Sequence, residues 1–259
     1  MSATAREILA SSRRLVIAHR GDSRNAPENT LPALFKAAQL KADFVELDYQ
    51  ESRDGVPIVF HDDTLDRLTN ARQLWPEVPP GISIASRSVG DLRKLDAGSW
   101  FSKEFVETPL STLAEVCDAV ASRALLAIER KTGSVRTLLA VMAENVASQR
   151  SVVMAFDWKF LAELHAARPE LPLVALGEGP VTSEKLDAAE AAGASAIGWA
   201  NEALLIDDIR RIHGRNLKAW CWTVDNRDRA AELWTAGLDG LITNVPGEMI
   251  ALRKERFSA

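Results

Sequence analysis

The sequence predicts a (β/α)8 TIM barrel, an α/β fold, with a hairpin and a small insertion after the second barrel strand. Three observations carry that expectation. Short apolar runs alternate with amphipathic helical patterns along the chain, the mark of parallel strands joined by helical crossovers. Eight such runs begin at Leu15, Phe44, Leu125, Val152, Leu173, Ala196, Leu217 and Gly240, as a barrel of about 250 residues requires. Two helix-to-strand junctions, AAGASAIGW and TAGLDGLIT, repeat an Ala-Gly step before the strand. A doubly wound open sheet is the competing arrangement, but no GxGxxG follows the first run.

The chain opens with MSATAREILASSRR, which lacks the order of charge, apolar stretch and cleavage site of a signal peptide and reads as a short capping helix. The first strand, LVIAH, ends on His19. After a loop, Leu31, Leu34, Phe35 and Ala38 fall at helical spacing, with Pro32 tolerated in the first turn. The second strand is FVELDYQ. Asp54-Gly55 then signals a two-residue hairpin turn with positive φ at both positions, and VPIVFHD returns. That turn sets His61 directly opposite Asp48, on one face and roughly 5 Å apart at Cβ. Periodicity weakens over about 64–111, an insertion holding Trp75, Trp100, Phe101, Pro76, Pro79 and Pro80. Such a stretch within a compact domain is usually functional. Strand and helix alternation resumes with a Ser/Thr-capped helix at STLAEVCDAVAS and continues to GEMIALRKE. The helix after the third strand spans SVRTLLAVMAENVAS, residues 134–148. No linker interrupts the pattern, so residues 1–259 read as a single domain.

Composition narrows the function. A net charge of −5 and a pI near 5.5 exclude the basic footprint of a nucleic-acid binder. No run reaches the length of a transmembrane segment. Cys117 and Cys221 lack metal-ligand spacing and read as reduced core thiols of a cytoplasmic protein.

Active sites of such barrels lie at the C-terminal ends of the strands. His19 and Arg20 end the first strand, Glu129 and Lys131 the third, Thr243-Asn244 the eighth, and Trp222 lies near the end of the seventh. Glu46 and Asp48, two apart on the second strand, face one way. Converging carboxylates repel, and one takes a proton unless a cation joins them. All-oxygen ligation by Glu46, Asp48 and Glu129 suits one divalent cation, Mg2+ or Ca2+. Lys131 either binds an anion or neutralises part of this charge. His19 and His61 are the acid–base candidates. Asp63 reads as a turn cap. His165 and His213 fall in helical patterns and read as structural.

These residues resemble a known family. His19-Arg20-Gly21, then Pro27-Glu28-Asn29-Thr30, looks like the HRG…PENT signature of glycerophosphodiester phosphodiesterases. The likeness continues through Glu46-Leu47-Asp48, DGVPIVFHD, LDRLT, LDAGSW, PLSTLAEV, Ile128-Glu129-Arg130-Lys131, Trp222-Thr223-Val224 and DGLITN, covering nearly the whole chain in family order. The resemblance implies metal-dependent hydrolysis of glycerophosphodiesters to glycerol 3-phosphate and an alcohol. It maps catalysis onto His19 and His61, metal ligation onto Glu46, Asp48 and Glu129, and phosphate contact onto Arg20 and Lys131. Trp222 would line the pocket, and Glu28 and Asn29 would support the loop beside it. The chain departs from the family pattern at Asn244, where Asp is common, at Arg130, where an apolar residue is usual, and at Ser111-Thr112, where Pro-Thr is usual.

Two other functions compete. A lysophospholipase D-type phosphodiesterase would need a long apolar groove in the insertion. A catalytically inactive glycerophosphate-binding module would not need both histidines and all three carboxylates. The partner expected is a small-molecule glycerophosphodiester, with no nucleic acid, no transmembrane segment and possible homo-oligomerisation.

Overall fold

The computed structural model describes residues 3–144 and 150–257. Nine strands form one sheet: β1 (Leu15–Ala18), β2 (Phe44–Glu51), β3 (Pro57–Val59), β4 (Leu126–Arg130), β5 (Ser151–Ala155), β6 (Leu173–Gly177), β7 (Ala196–Ala200), β8 (Lys218–Trp222) and β9 (Gly240–Thr243). Their order is β1-β9-β8-β7-β6-β5-β4-β2-β3, and β1 also pairs in parallel with β2. That last pairing closes eight parallel strands into a barrel, leaving β3 as the antiparallel arm of a hairpin. Each predicted barrel strand is present, and its start shifts by no more than one residue.

Alternation along the strands positions the site. Leu15 and Ile17, Phe44, Leu125 and Ala127, Val152 and Met154, Trp220, and Ile242 share one interior cluster. They fill the barrel as packed layers. Beneath them, Ala5 and Leu9 of the first helix, Ala5–Ala10, join the same cluster. Leu9 is 3% exposed, and burying it contributes about 2 kcal/mol. The same every-second-residue phase, carried past the apolar layers, reaches His19, Glu46 and Asp48, Glu129, Trp222, and Asn244. The opposite phase packs on the outer helices in a larger cluster. Arg130 belongs to that outer phase: it bonds Asp157 at 2.9 Å and stacks over Phe160, which explains a charge between Glu129 and Lys131.

The hairpin corrects one expectation. Its turn is Arg53-Asp54-Gly55, and of these only Gly55 has positive φ, at +76°. Gly55 N–H bonds Ser52 O, Ser52 N–H bonds Val56 O, and Tyr49 pairs with Val59. Phe60, not His61, therefore stands across from Asp48, its N–H bonding the Asp48 carbonyl at 3.0 Å. A type I turn closed by a left-handed glycine takes one more residue than a type I′ turn, and Asp-Gly serves both.

The insertion contains the short helices Ala71–Leu74 and Val89–Leu92 and two 3-10 turns. Leu65, Leu68, Ile82, Ile84, Leu92 and Leu95 pack with Ile58 and Phe60 of the hairpin. The next helix, Leu113–Val120, starts with a capping box between Thr112 and Glu115. The helix predicted over 134–148 runs from Val135 to Ala143, and the remainder of that expectation lies largely outside the described residues. Cys117 and Cys221 are buried and free. Among the described residues no helix is long and apolar enough to cross a membrane.

Candidate active site

The loop after β1 is built for close approach. Arg20 and Gly21 both take left-handed φ, +55° and +85°. A Cβ on Gly21 would sit 2.5 Å from the Ala33 carbonyl carbon, so only glycine lets the loop lie on the helix Leu31–Gln39. The turn aims Arg20 N–H at Glu46 Oε2, 2.6 Å away. The Arg20 guanidinium bonds Glu28 at 2.6 Å, and its Nε lies 3.3 Å from Asp48 Oδ2. Asn29, also left-handed at +58°, clamps Asp48 twice: its amide donates to Asp48 Oδ2 at 2.8 Å, and its oxygen accepts from Asp48 N–H at 3.0 Å.

Glu46, Asp48 and Glu129 are 1%, 1% and 8% exposed, and each offers an oxygen within 4.8 Å of the others. Parallel pairing of β2 with β4 places Asp48 beside Glu129. Burial pushes the Glu46 carboxyl well above its ordinary range, and Asp48 and Glu129 add to the push. Burial, then the Asp48 charge, raises Glu129 to about 7. Burial alone would raise Asp48 too, but Arg20, Lys131, His61 and the Asn29 bond together hold it below the usual carboxylate value. Lys131 pairs with Glu129 and lies 3.4 Å from Asp48, so its charge offsets the carboxylates while its side chain also lines the cavity at this end of the barrel. Glu46 Oε1 is buried without a hydrogen-bond partner. An orphaned carboxylate oxygen among three converging acids fits a hard divalent cation held by oxygen ligands.

His19, Arg20, His61, Glu129, Lys131 and Trp222 line one cavity of about 140 Å³ at this end of the barrel. Met154, Phe156, Leu176 and Ile242 form its apolar side. Glu46 and Asp48 do not line it and connect to it through Arg20, Glu129 and Lys131. Burial, with Arg20 beside it, pulls the His19 imidazole down to about 4. The half-buried His61 bonds Asp62 through Nδ1 at 2.9 Å, and Arg67 from the insertion grips the same carboxylate with two bonds of 2.7 and 2.8 Å. Those bonds outweigh burial and hold Asp62 at about 2. Glu28, His61 and Asp62 also approach one another as a metal-ligating set would, but Arg20 and Arg67 already compensate the two acids. Trp222 donates its indole N–H to Gly198 O at 3.0 Å and meets Phe156 edge-on at 5.6 Å.

Each predicted site residue thus lies on or beside one cavity. Asp63 is exposed; its neighbour Asp62 carries the contact to His61. Asp62, Arg67, Phe156 and Asp225, whose carboxylate holds Asn244 against His19, are the contributors that sequence reasoning missed. Adjacency to His61 was the available signal for Asp62, and the LDRLT segment for Arg67; Phe156 and Asp225 gave none. His165 lies on the helix Trp158–Ala167, and His213 on Ile206–His213 bonds Asp239 at 2.7 Å. Neither lines this cavity.

Residues 19–248 match the model of the glycerophosphoryl diester phosphodiesterase family. A glycerophosphodiester phosphodiesterase of Bacillus subtilis is 32% identical, over 95% of this chain and 88% of its own. One from Caldanaerobacter subterraneus is 31% identical, over 92% and 97%. The structure of an Oleispira antarctica phosphodiesterase in complex with sn-glycerol-3-phosphate superposes with a TM-score of 0.85 at 25% identity, over 93% of this chain and 96% of that one. The chain belongs to the glycerophosphoryl diester phosphodiesterase family and is an enzyme of that class, a phosphoric diester hydrolase.

Proposed function

We propose that this enzyme hydrolyses small glycerophosphodiesters to sn-glycerol 3-phosphate and an alcohol, using two histidines for proton transfer and one divalent cation, Mg2+ or Ca2+. The observation that carries this reading is the convergence of His19, His61, Arg20 and Lys131 on one cavity beside the buried acids Glu46, Asp48 and Glu129. The product held by the Oleispira antarctica enzyme supports it.

Glu46, Asp48 and Glu129 would hold the cation, which when bound supplies positive charge at the phosphate. Arg20 and Lys131 bind the anionic diester and balance charge that builds in the transition state. One imidazole accepts the proton of the attacking oxygen while the other donates to the departing alkoxide. Trp222 and Phe156 orient the carbon skeleton against the apolar side of the cavity. At about 140 Å³ the cavity is small beside ordinary ligand pockets of roughly 300–1,000 Å³. Among the described residues none of the insertion lines it. Both facts favour a water-soluble diester over a lysophospholipid.

A coupled glycerol-3-phosphate assay on glycerophosphocholine tests the reading. Turnover should vanish in EDTA and return with Mg2+ or Ca2+. A folded, cation-supplied enzyme inactive on every glycerophosphodiester tried would refute it.

A further inference from the structure

Asn244 occupies a position that the proposed mechanism leaves unused. It follows the last residue of β9, and its Oδ1 lies 2.7 Å from His19 Nδ1 and 3.0 Å from Ser23 Oγ. Its Nδ2 lies 2.7 Å from Asp225 Oδ2, while Asp225 Oδ1 accepts from Asn244 N–H at 2.8 Å and Thr243 Oγ at 2.9 Å. A carboxylate only accepts, so the amide nitrogen must face Asp225 and the amide oxygen must face His19. An amide oxygen also only accepts, so His19 Nδ1 must carry hydrogen. Neutral His19 is thereby fixed as the Nδ1–H tautomer, with its lone pair on Nε2, which makes no hydrogen bond among the described residues. His61 differs: its Nδ1 faces the Asp62 carboxylate rather than a neutral amide.

We propose that Asn244, locked by Asp225, is a positioning residue that sets His19 as the proton acceptor of the reaction and so leaves His61 as the donor. This rests on the reading of both histidines as acid–base groups. In the forward step, Nε2 of His19 takes the proton of the attacking hydroxyl as its oxygen forms the new bond to phosphorus. The bond to the alcohol oxygen breaks, and that oxygen takes the proton from His61. The imidazolium formed at His19 keeps its Nδ1–H on Asn244, so the ring need not turn. Asn244 touches no reacting atom in this scheme and acts through the ring it holds.

Two near-isosteric variants separate positioning from bulk structure. In Asp225→Asn, an amide nitrogen can replace the oxygen that faces Asn244 Nδ2; Asn244 then turns its own nitrogen toward His19 and favours the opposite tautomer. Asn244→Asp keeps an oxygen facing Nδ1. Nitrogen-15 spectra of histidine-labelled enzyme, with His19 assigned by its loss in His19→Gln, read the tautomer without any turnover. We expect the Nδ1–H form in the parent and in Asn244→Asp, and growth of the Nε2–H form in Asp225→Asn and Asn244→Ala. On glycerophosphocholine, Asn244→Ala and Asp225→Asn should lose about 10- to 100-fold in kcat, with KM within about twofold of the parent. An Nε2–H ring in the parent, or variants that keep both the parent tautomer and its kcat, would overturn the proposal. Undiminished turnover in His19→Gln would instead overturn the acid–base reading beneath it, while leaving the tautomer result to stand.

Discussion

Asn29 is the sharpest mechanical test of how the acidic cluster is held. Its side chain satisfies two groups of Asp48 at once, the carboxylate at 2.8 Å and the backbone N–H at 3.0 Å, and it is itself 2% exposed. Asn29→Ala removes both. Loss of a hydrogen bond to a charged, buried acceptor costs about 1.5–3 kcal/mol, and a stranded backbone N–H adds about 1–3 kcal/mol. Asn also tolerates the left-handed φ of +58° better than alanine does, at a difference of roughly 1 kcal/mol. Water entering from the nearby cavity returns part of this, so the expected loss is about 3–5 kcal/mol. Urea unfolding in EDTA, where no cation can mask the change, measures it through the midpoint at constant slope. Asn29→Asp refines the test. It keeps the acceptor for Asp48 N–H but sets a second carboxylate against Asp48 Oδ2, and a close pair of acids retains a proton in the folded state. The folded pKa of that pair is raised, so its penalty is absent below the unfolded carboxylate value and grows as pH rises. Asn29→Asp should therefore resemble Asn29→Ala at pH 7 and approach the parent near pH 4. A loss under about 1 kcal/mol for Asn29→Ala, or no recovery of Asn29→Asp in acid, would refute the clamp.

Three further outcomes follow from the geometry. Glu129 is raised to about 7, and burial shifts Glu46 in the same direction; Glu129 therefore holds a proton at pH 6, and cation binding there must expel it. Titration calorimetry in buffers of different ionisation enthalpy should show proton release that diminishes toward pH 8.5, and heats independent of buffer at pH 6 would contradict it. Gly21→Ala forces a Cβ to 2.5 Å from the Ala33 carbonyl carbon at a φ of +85°; a loss of at least about 3 kcal/mol is expected by thermal or denaturant unfolding, from strain and overpacking together. Trp222→Ala removes part of the apolar side of the cavity and should raise KM for glycerophosphocholine several-fold with a smaller change in kcat; an unchanged KM would remove Trp222 from the substrate site.

The barrel is legible because alternation along a strand is a strong physical signal. Leu15 and Ile17 predict where His19 points, and Phe44 predicts the direction of Glu46 and Asp48. The hairpin register is not legible, since Asp54-Gly55 suits turns of two lengths and one residue moves Phe60 into the place assigned to His61. Long-range polar contacts are the other gap. Nothing local marks Asp225 as the anchor of Asn244, because the loop after β8 and the end of β9 meet only when those two strands pair across their intervening helix. Asn244 stands out in the sequence as a strand end and a departure from family pattern, but its meaning lies in which of its two amide atoms faces His19.

The central claim is that two imidazoles on one cavity move the protons of phosphodiester hydrolysis. The most direct measurement is single-turnover release of glycerol 3-phosphate from glycerophosphocholine by His19→Ala and by His61→Ala, each folded and supplied with Mg2+ or Ca2+. Each single variant should fall by at least about 100-fold, within the range for lost acid–base catalysis, with cation affinity within a few-fold of the parent. Turnover within tenfold of the parent in either variant would contradict the two-histidine account.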